Sequence, residues 1–358
     1  MKKLKVDSIV YSRKLYHFKV LTLQGIIFKL LCYQKANKKI VCAIQERKEV
    51  TNMKKKVLSL LLAGAAIGGV LQYNPNIANA ETKSITVSSN AQTKVAVSNV
   101  NKAKAVLNSL QSGDPNAITN YVSKDGYIQH NLAFADGRQT MLDALSALKT
   151  AGTTVQIVRA FEDGNYVFLQ SKYNLFGLGE QVGFDVFRFK DGVIVEHWDN
   201  LAALAKANPS GLTQFDGYTA IKELNKTEEN KLLVSNFVRD VLGGQDPTTI
   251  TNYFDGDKYI QHNTGIADGL SGLGSALESL SKQGISMVYN KTHYVLGQGN
   301  FVLAVSEGTF GGKATSYYDL FRVENGKIAE HWDVMETIAD KTTWKNNNGK
   351  FYKSAIYN

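Results

Sequence analysis

The sequence predicts an α+β chain of two tandem domains, each with helices laid on one face of a mainly antiparallel sheet. Three observations lead there. A fifteen-residue stretch occurs twice: Asp185-Val-Phe-Arg-Phe-Lys-Asp-Gly-Val-Ile-Val-Glu-His-Trp-Asp199 and Asp319-Leu-Phe-Arg-Val-Glu-Asn-Gly-Lys-Ile-Ala-Glu-His-Trp-Asp333. Shorter blocks repeat in the same order: Asp114-Pro115 with Asp246-Pro247, Tyr127-Ile-Gln-His-Asn131 with Tyr259-Ile-Gln-His-Asn263, and Ala135-Asp-Gly137 with Ala267-Asp-Gly269. In both units helical periodicity comes first and strand alternation follows, the order of an α+β domain rather than of βαβ units. The spacing between copies far exceeds the roughly 20–50 residues of a solenoid repeat, so the units are duplicated domains.

Each unit opens on an amphipathic helix, with Val106, Leu107 and Leu110 in the first and Leu233, Val234, Phe237, Val238 and Val241 in the second. Thr227, followed by Glu228 and Glu229, has the chemistry of a helix N-cap and acidic first turn. A short helix is expected from Pro115 and from Pro247, because proline in a first turn gives up an N–H that has no partner there. The Tyr-Ile-Gln-His-Asn strand is next. A second amphipathic helix then carries Met141, Leu142, Leu145 and Leu148, or Leu270, Leu273, Leu277 and Leu280. Strands are expected at 153–161, 165–174, 181–189 and 193–200, and at 286–295, 300–308, 314–323 and 327–334. Asp163-Gly164, Asp191-Gly192 and Asn325-Gly326 supply turns.

The remaining segments differ in kind. The first 80 residues hold 15 of the 41 basic and 3 of the 32 acidic residues, so the rest of the chain has a net charge of −3 despite the +9 total. That excludes nucleic acid as an expected partner. Residues 53–80 read as a signal peptide: Met53-Lys-Lys-Lys56, an apolar stretch from Val57 to Val70, and Ala78-Asn-Ala80 before a cut between Ala80 and Glu81. The apolar stretch falls short of the about 20 residues that span a bilayer. The expected location is therefore secreted or extracytoplasmic, with no membrane span after cleavage. Residues 1–52 are basic and irregular. Lys48-Glu-Val50 can be encoded by a ribosome-binding sequence read in frame, which makes Met53 the expected start and 1–52 a translated leader. Cys32 and Cys42 both precede Met53, so the expected mature chain has no disulfide. Residues 81–100 are expected to be a flexible tether, 101–203 and 227–338 the two domains, 204–226 their linker and 339–358 a tail.

Loop length decides which hairpin side chains share a face. A two-residue turn at Asp191-Gly192 pairs Lys190 with Val193 and sets Asp185 beside Trp198. A three-residue loop pairs Phe189 with Val193 and sets Asp185 opposite His197. The second is favoured, because it places Arg188 diagonal to Glu196, and Arg322 likewise to Glu330, on one face. The other face then shows Asp185, Phe187, Phe189, Val193, Val195, His197 and Asp199. Two carboxylates and an imidazole among apolar groups suit acid/base chemistry, since burial and a like charge both raise a carboxylate's pKa. The same three side chains also suit a satisfied structural network. His130-Asn131 and His262-Asn263 end a short strand where functional side chains gather, and turn chemistry accounts for them equally. No HxH, HxxxH or cysteine spacing is present, so neither metal nor cofactor is expected.

At these residues the chain resembles the SnoaL-like branch of the nuclear transport factor 2-like superfamily, over about 101–203 and 230–338. The resemblance implies cone-shaped domains, each a strongly curved sheet wrapped around helices and a cavity. It implies a cofactor-free lyase, isomerase or hydrolase acting on a small apolar carbonyl compound, or else a non-catalytic module that binds a small ligand or a partner. Asp199 and Asp333 would be the acid/base groups, with Asp185, His197, Asp319 and His331 in support. His130, Asn131, His262, Asn263, Phe187 and Phe321 would contact the ligand. Domains of this kind pair through their sheets, so an intramolecular pseudo-dimer is implied. The sequence departs from the common pattern at Leu132 and Thr264, where proline usually follows the Tyr-Ile-Gln-His-Asn strand.

Overall fold

The computed structural model describes residues 97–351. The expected leader, signal peptide and most of the tether lie outside the described residues. Two five-stranded mixed sheets with packed helices make up the fold. In the first half the order is α1 (Asn99–Ser112), α2 (Asn116–Tyr121), β1 (Ile128–Gln129), α3 (Arg138–Thr150), β2 (Thr154–Asp163), β3 (Tyr166–Asn174), β4 (Gln181–Lys190) and β5 (Val193–Ala203). In the second it is α4 (Thr227–Phe237), β6 (Ile260–Gln261), α5 (Gly269–Lys282), β7 (Met287–Gln298), β8 (Phe301–Phe310), β9 (Lys313–Glu324) and β10 (Lys327–Thr337). The sheet orders are β1-β5-β4-β3-β2 and β6-β10-β9-β8-β7, antiparallel except that β1 and β6 run parallel to β5 and β10. The α+β expectation and its eight long strands therefore hold.

Period-two alternation gives each sheet two apolar faces. On the inner face of the first sheet, Val167, Leu169, Phe187, Phe189 and Ile194 pack against Val106, Leu107, Ile118 and Leu145 of the helices. Val302, Ala304, Phe321 and Ile328 do the same with Val234, Phe237 and Leu277 in the second. The outer faces share one apolar cluster, in which Phe168, Phe184, Val186 and Trp198 meet Tyr294, Leu303, Tyr318 and Trp332. Asn200 of β5 donates to the carbonyls of Ser316 (2.9 Å) and Val334 (2.8 Å), satisfying its amide nitrogen inside that cluster.

Several local expectations change. The first helix begins at Asn99 with the Ser98 hydroxyl accepting from the Asn101 N–H, inside the expected tether. Thr227 is already helical, and its hydroxyl donates to the Leu224 carbonyl instead of capping. The short helix expected from Pro247 forms as a 3₁₀ helix, Pro247–Asn252, with the proline in its first turn. The hairpin follows neither expected register. Asp191 (φ 51°) and Gly192 (φ 77°) form a two-residue turn with both residues left-handed, the backbone that Asp-Gly and Asn-Gly favour. Lys190 pairs with Val193 and Phe189 with Ile194, and a bulge at Val195 then pairs Arg188 with Glu196 directly. Asp185 ends up opposite Asp199, and Phe187 opposite His197. The bulge moves Ile194 to the inner face, yet Asp185, Phe187, His197 and Asp199 still share that face. The second hairpin repeats the bulge, at Ala329, and pairs Asp319 with Asp333.

Candidate functional site

Gln129, on the two-residue strand β1, organises the first site. Its Oε1 accepts the backbone N–H of Asn131 (2.8 Å), and its amide nitrogen donates to the Tyr127 hydroxyl (3.3 Å). A backbone N–H can only donate, so the Gln129 oxygen must sit there. The same oxygen lies 3.0 Å from His197 Nδ1, which fixes Nδ1 as a donor. His197 Nε2 then faces Asp185 Oδ1 at 3.1 Å, and one proton serves that pair. Asp185 Oδ2 accepts from the Tyr173 hydroxyl at 2.7 Å. Asp199 Oδ2 accepts from Asn131 Nδ2 at 2.6 Å. Burial pushes the Asp185 carboxyl above its ordinary range; the bond and charge of His197 oppose this, and Asp199 reinforces it. Burial and the Asp185 charge also hold the Tyr173 phenol well above its usual value.

These groups border a cavity of about 90 Å³, walled mainly by apolar side chains that include Leu107, Met141, Leu148, Phe176 and Phe187. Asp185, His197, Asp199, Gln129 and Asn131 supply its polar patch. An apolar cavity of roughly 150 Å³ accepts benzene, so this smaller one suits a short chain rather than a ring.

The second half builds the same network. Gln261 Oε1 accepts from Asn263 N (2.9 Å) and faces His331 Nδ1 (2.9 Å), His331 Nε2 faces Asp319 Oδ1 (3.1 Å), and Asn263 Nδ2 donates to Asp333 Oδ2 (2.6 Å). Burial raises the Asp333 carboxyl, with Asp319 adding to the effect and His331 opposing it. The phenol arrives differently. Leu169 pairs with Asp185 and Ala304 with Asp319, so Tyr173 corresponds to Gly308. The hydroxyl on Asp319 comes instead from Tyr289 of β7, the cross-strand partner of Gly308, at 3.2 and 3.3 Å. Tyr173 is paired in turn with Val155. The phenol has moved one strand sideways while still reaching the same carboxylate.

His130 and His262 turn away from these networks. The His130 ring stacks on Trp198, with centroids 4.8 Å apart, and its Nε2 lies 2.8 Å from Glu196 Oε1. Arg188 grips Glu196 Oε2 through two nitrogens, at 2.8 and 2.6 Å. His262, Glu330 and Arg322 repeat this, with Nε2 to Oε1 at 2.9 Å and Arg Nε to Oε2 at 2.7 Å. The cause is alternation: Tyr127, Gln129 and Asn131 face inward, so His130 faces out. Asn131 and Phe187 line the cavity; His130 does not. Phe321 stacks on His331, with centroids 4.8 Å apart, as Phe187 does on His197 at 4.5 Å.

Sequence reasoning missed Gln129, Gln261, Tyr173 and Tyr289. The glutamines were within reach, because they share the repeated strand and the inward parity of Tyr127 and Asn131. The tyrosines carry no repeat signal, since Tyr173 matches a glycine. Gly183, cross-strand to Ser171, leaves room for the Tyr173 ring, which a Cβ at 183 would overlap. We expect Gly183→Ala to displace Tyr173 and cost about 1–3 kcal/mol by overpacking, whereas Gly183→Ala with Tyr173→Phe would still be overpacked and Gly183→Ala with Tyr173→Leu relieved of all but the contact with Leu201 Cδ2, 2.8 Å from the added Cβ. Urea unfolding of the three variants reads this out.

Two carboxylates and an imidazole also form a donor set for a divalent cation. One donor atom each from Asp185, His197 and Asp199 lie within 4.8 Å of one another, and so do those of Asp319, His331 and Asp333. In the first set His197 Nε2 is already engaged with Asp185, and the Lys350 ammonium stands 3.6 Å from Asp199. Among the described residues, no helix is long and apolar enough to cross a membrane.

Solved structures similar to this chain include an NTF2-like protein of unknown function from Cytophaga hutchinsonii, at 14% identity over 30% of this chain and 94% of that one, with a TM-score of 0.28. A Bacillus cereus protein called a polyketide cyclase is 17% identical over 28% of this chain and 72% of that one, with a TM-score of 0.25. An LEH-like epoxide hydrolase from M. tuberculosis is 22% identical over 31% of this chain and 85% of that one, with a TM-score of 0.25. No curated protein matches the sequence. By sequence, residues 103–197, which run from the first helix to the histidine of the first site, match the SnoaL-like domain family.

Proposed function

We propose that the first half is a cofactor-independent acid/base site for a small apolar carbonyl compound. The observation that carries this reading is a mainly apolar cavity whose polar patch holds Asp199 and the proton-sharing Asp185–His197 pair. In this scheme Asp199 removes a proton from the carbon beside the carbonyl. The Asp185–His197 pair delivers its shared proton to the carbonyl oxygen, forming the enol, and Tyr173 steadies the Asp185 charge that remains. Reversal returns the carbonyl form with a proton from solvent. Such chemistry underlies isomerase, lyase and aldol reactions alike. Asp319, His331 and Asp333 are the matching set in the second half. We further propose that the halves are tandem copies joined as an intramolecular pseudo-dimer, a reading supported by the repeated motifs and the shared outer cluster. Export with cleavage after Ala80 is supported by the sequence of residues 53–80.

A second reading is a binding module without turnover. It is favoured by the completeness of the Asp185 network, in which both oxygens are hydrogen-bonded. Acetone in D₂O separates the two. Protein-dependent exchange of its α-protons, followed by NMR, supports the acid/base reading; saturable binding without exchange supports the binding module.

A further inference from the structure

Beyond the second sheet, the chain returns to the first half. Lys345 N donates to the Leu132 carbonyl (2.9 Å). Asn346 Nδ2 donates to the carbonyls of Asn131 (2.8 Å) and Phe134 (2.9 Å). Asn348 Nδ2 reaches the Gln129 carbonyl (2.9 Å) and Asp136 (2.7 Å), and the Gly349 carbonyl takes His130 Nδ1 (2.8 Å). These bonds set Lys350 in place with only 3% of its surface exposed. Its ammonium is 2.7 Å from Glu336 Oε1 and 3.6 Å from Asp199 Oδ1. Asp199 is itself 4% exposed, and that Oδ1 has no hydrogen-bond donor.

The linker makes the reciprocal contact without the charge. Asn208 Nδ2 donates to the carbonyls of Gln261 (2.6 Å) and Ile266 (3.0 Å), and the Thr213 carbonyl takes His262 Nδ1 (2.8 Å). The residue after that carbonyl is Gln214, where the C-terminal segment has Lys350. Glu336, three residues after Asp333, corresponds to Ala202, three after Asp199. The cation and its second carboxylate therefore exist at the first site and not at the matching place in the second.

We propose that Lys350 is a positioning residue for the first site: it is the counter-ion of Asp199, supplied by the C-terminal segment, and it makes the two sites chemically unequal. An unpaired buried carboxylate takes up a proton to escape the cost of burial, and a base that holds a proton cannot accept one. Neighbouring charges act in the same sense. Burial raises the Glu336 carboxyl, Asp199 adds to that and Lys350 opposes it. The functional importance of Lys350 rests on the acid/base reading of Asp199; its role as counter-ion does not.

The test uses the full chain with Lys350→Gln, which copies the second half, and a chain ending at Gly349. Infrared difference spectra at neutral pH, taken with and without Asp199→Asn, show the state of that side chain. We expect carboxylate bands from Asp199 in the parent and in Lys350→Arg, and a protonated carboxyl band in Lys350→Gln or in the shortened chain, whichever folds. Carboxylate bands that persist in a folded chain lacking the lysine would overturn the proposal. With acetone, Lys350→Gln should slow exchange about 10-fold or more while KM stays within about twofold. Should the parent exchange no ketone, the acid/base reading fails, and the infrared comparison still decides whether Lys350 is the counter-ion.

Discussion

Asp199→Asn will lower ketone exchange by about 10²–10⁴-fold, the usual contribution of a positioned general base. The substitution keeps an oxygen available to the Asn131 amide, which now lies 2.6 Å from Asp199 Oδ2, so the cavity wall should survive. It also leaves Lys350 paired with Glu336 at 2.7 Å. The loss should therefore appear in kcat with little change in KM, because a group acting on the moving proton contributes in the transition state alone. Asp333→Asn in the same chain serves as the internal comparison. If the first half carries the exchange, Asp333→Asn will retain most of it. Equal loss from either substitution would assign the activity to both halves, and no loss from Asp199→Asn would leave the binding module as the surviving reading.

Glu330→Ala will unfold the second half more easily by about 3–5 kcal/mol, the cost of breaking a buried ion pair from one side. Glu330 is fully buried, with His262 at 2.9 Å and Arg322 at 2.7 Å. The Arg322 guanidinium also sits 4.0 Å above the Tyr218 ring, so the charge left behind could not easily reach water. Arg159 lies over the Trp332 ring, lowered to about 10 mainly by burial, while Glu330 raises it. Removing Glu330 leaves Arg322 with only the more exposed Glu324, at 3.4 Å, and takes a favourable charge from Arg159. The exposed i,i+4 pair of Glu278 and Lys282, at 2.9 Å, provides the contrast: Glu278→Ala should cost only about 0.3–0.5 kcal/mol. Urea midpoints of the two variants measure the difference, and similar losses would show that the Glu330 network contributes little to stability.

The order of elements was legible because alternation and helical periodicity are local. So was the face shared by Asp185, Phe187, His197 and Asp199, since a strand's parity survives an error of two in register. The register itself was not legible. Placing Arg188 and Glu196 on one face was a correct clue, but they pair directly rather than diagonally, through a two-residue turn plus a bulge at Val195, which inserts one residue without a sequence signal. The fate of His130 could have been read from the same alternation that puts Tyr127, Gln129 and Asn131 inward.

By itself the sequence determined the α+β architecture and the set of two aspartates and one histidine on the inner face of each hairpin, because strand geometry alone enforces both. Only the tertiary structure decided what surrounds them. It brought Tyr173 from a neighbouring strand and Tyr289 from a different one, sent His130 and His262 to the ion pairs outside, and carried Lys350 back from beyond the second sheet to Asp199. Those contacts join residues far apart in the chain. They follow from how the sheets and segments pack, which no local period encodes.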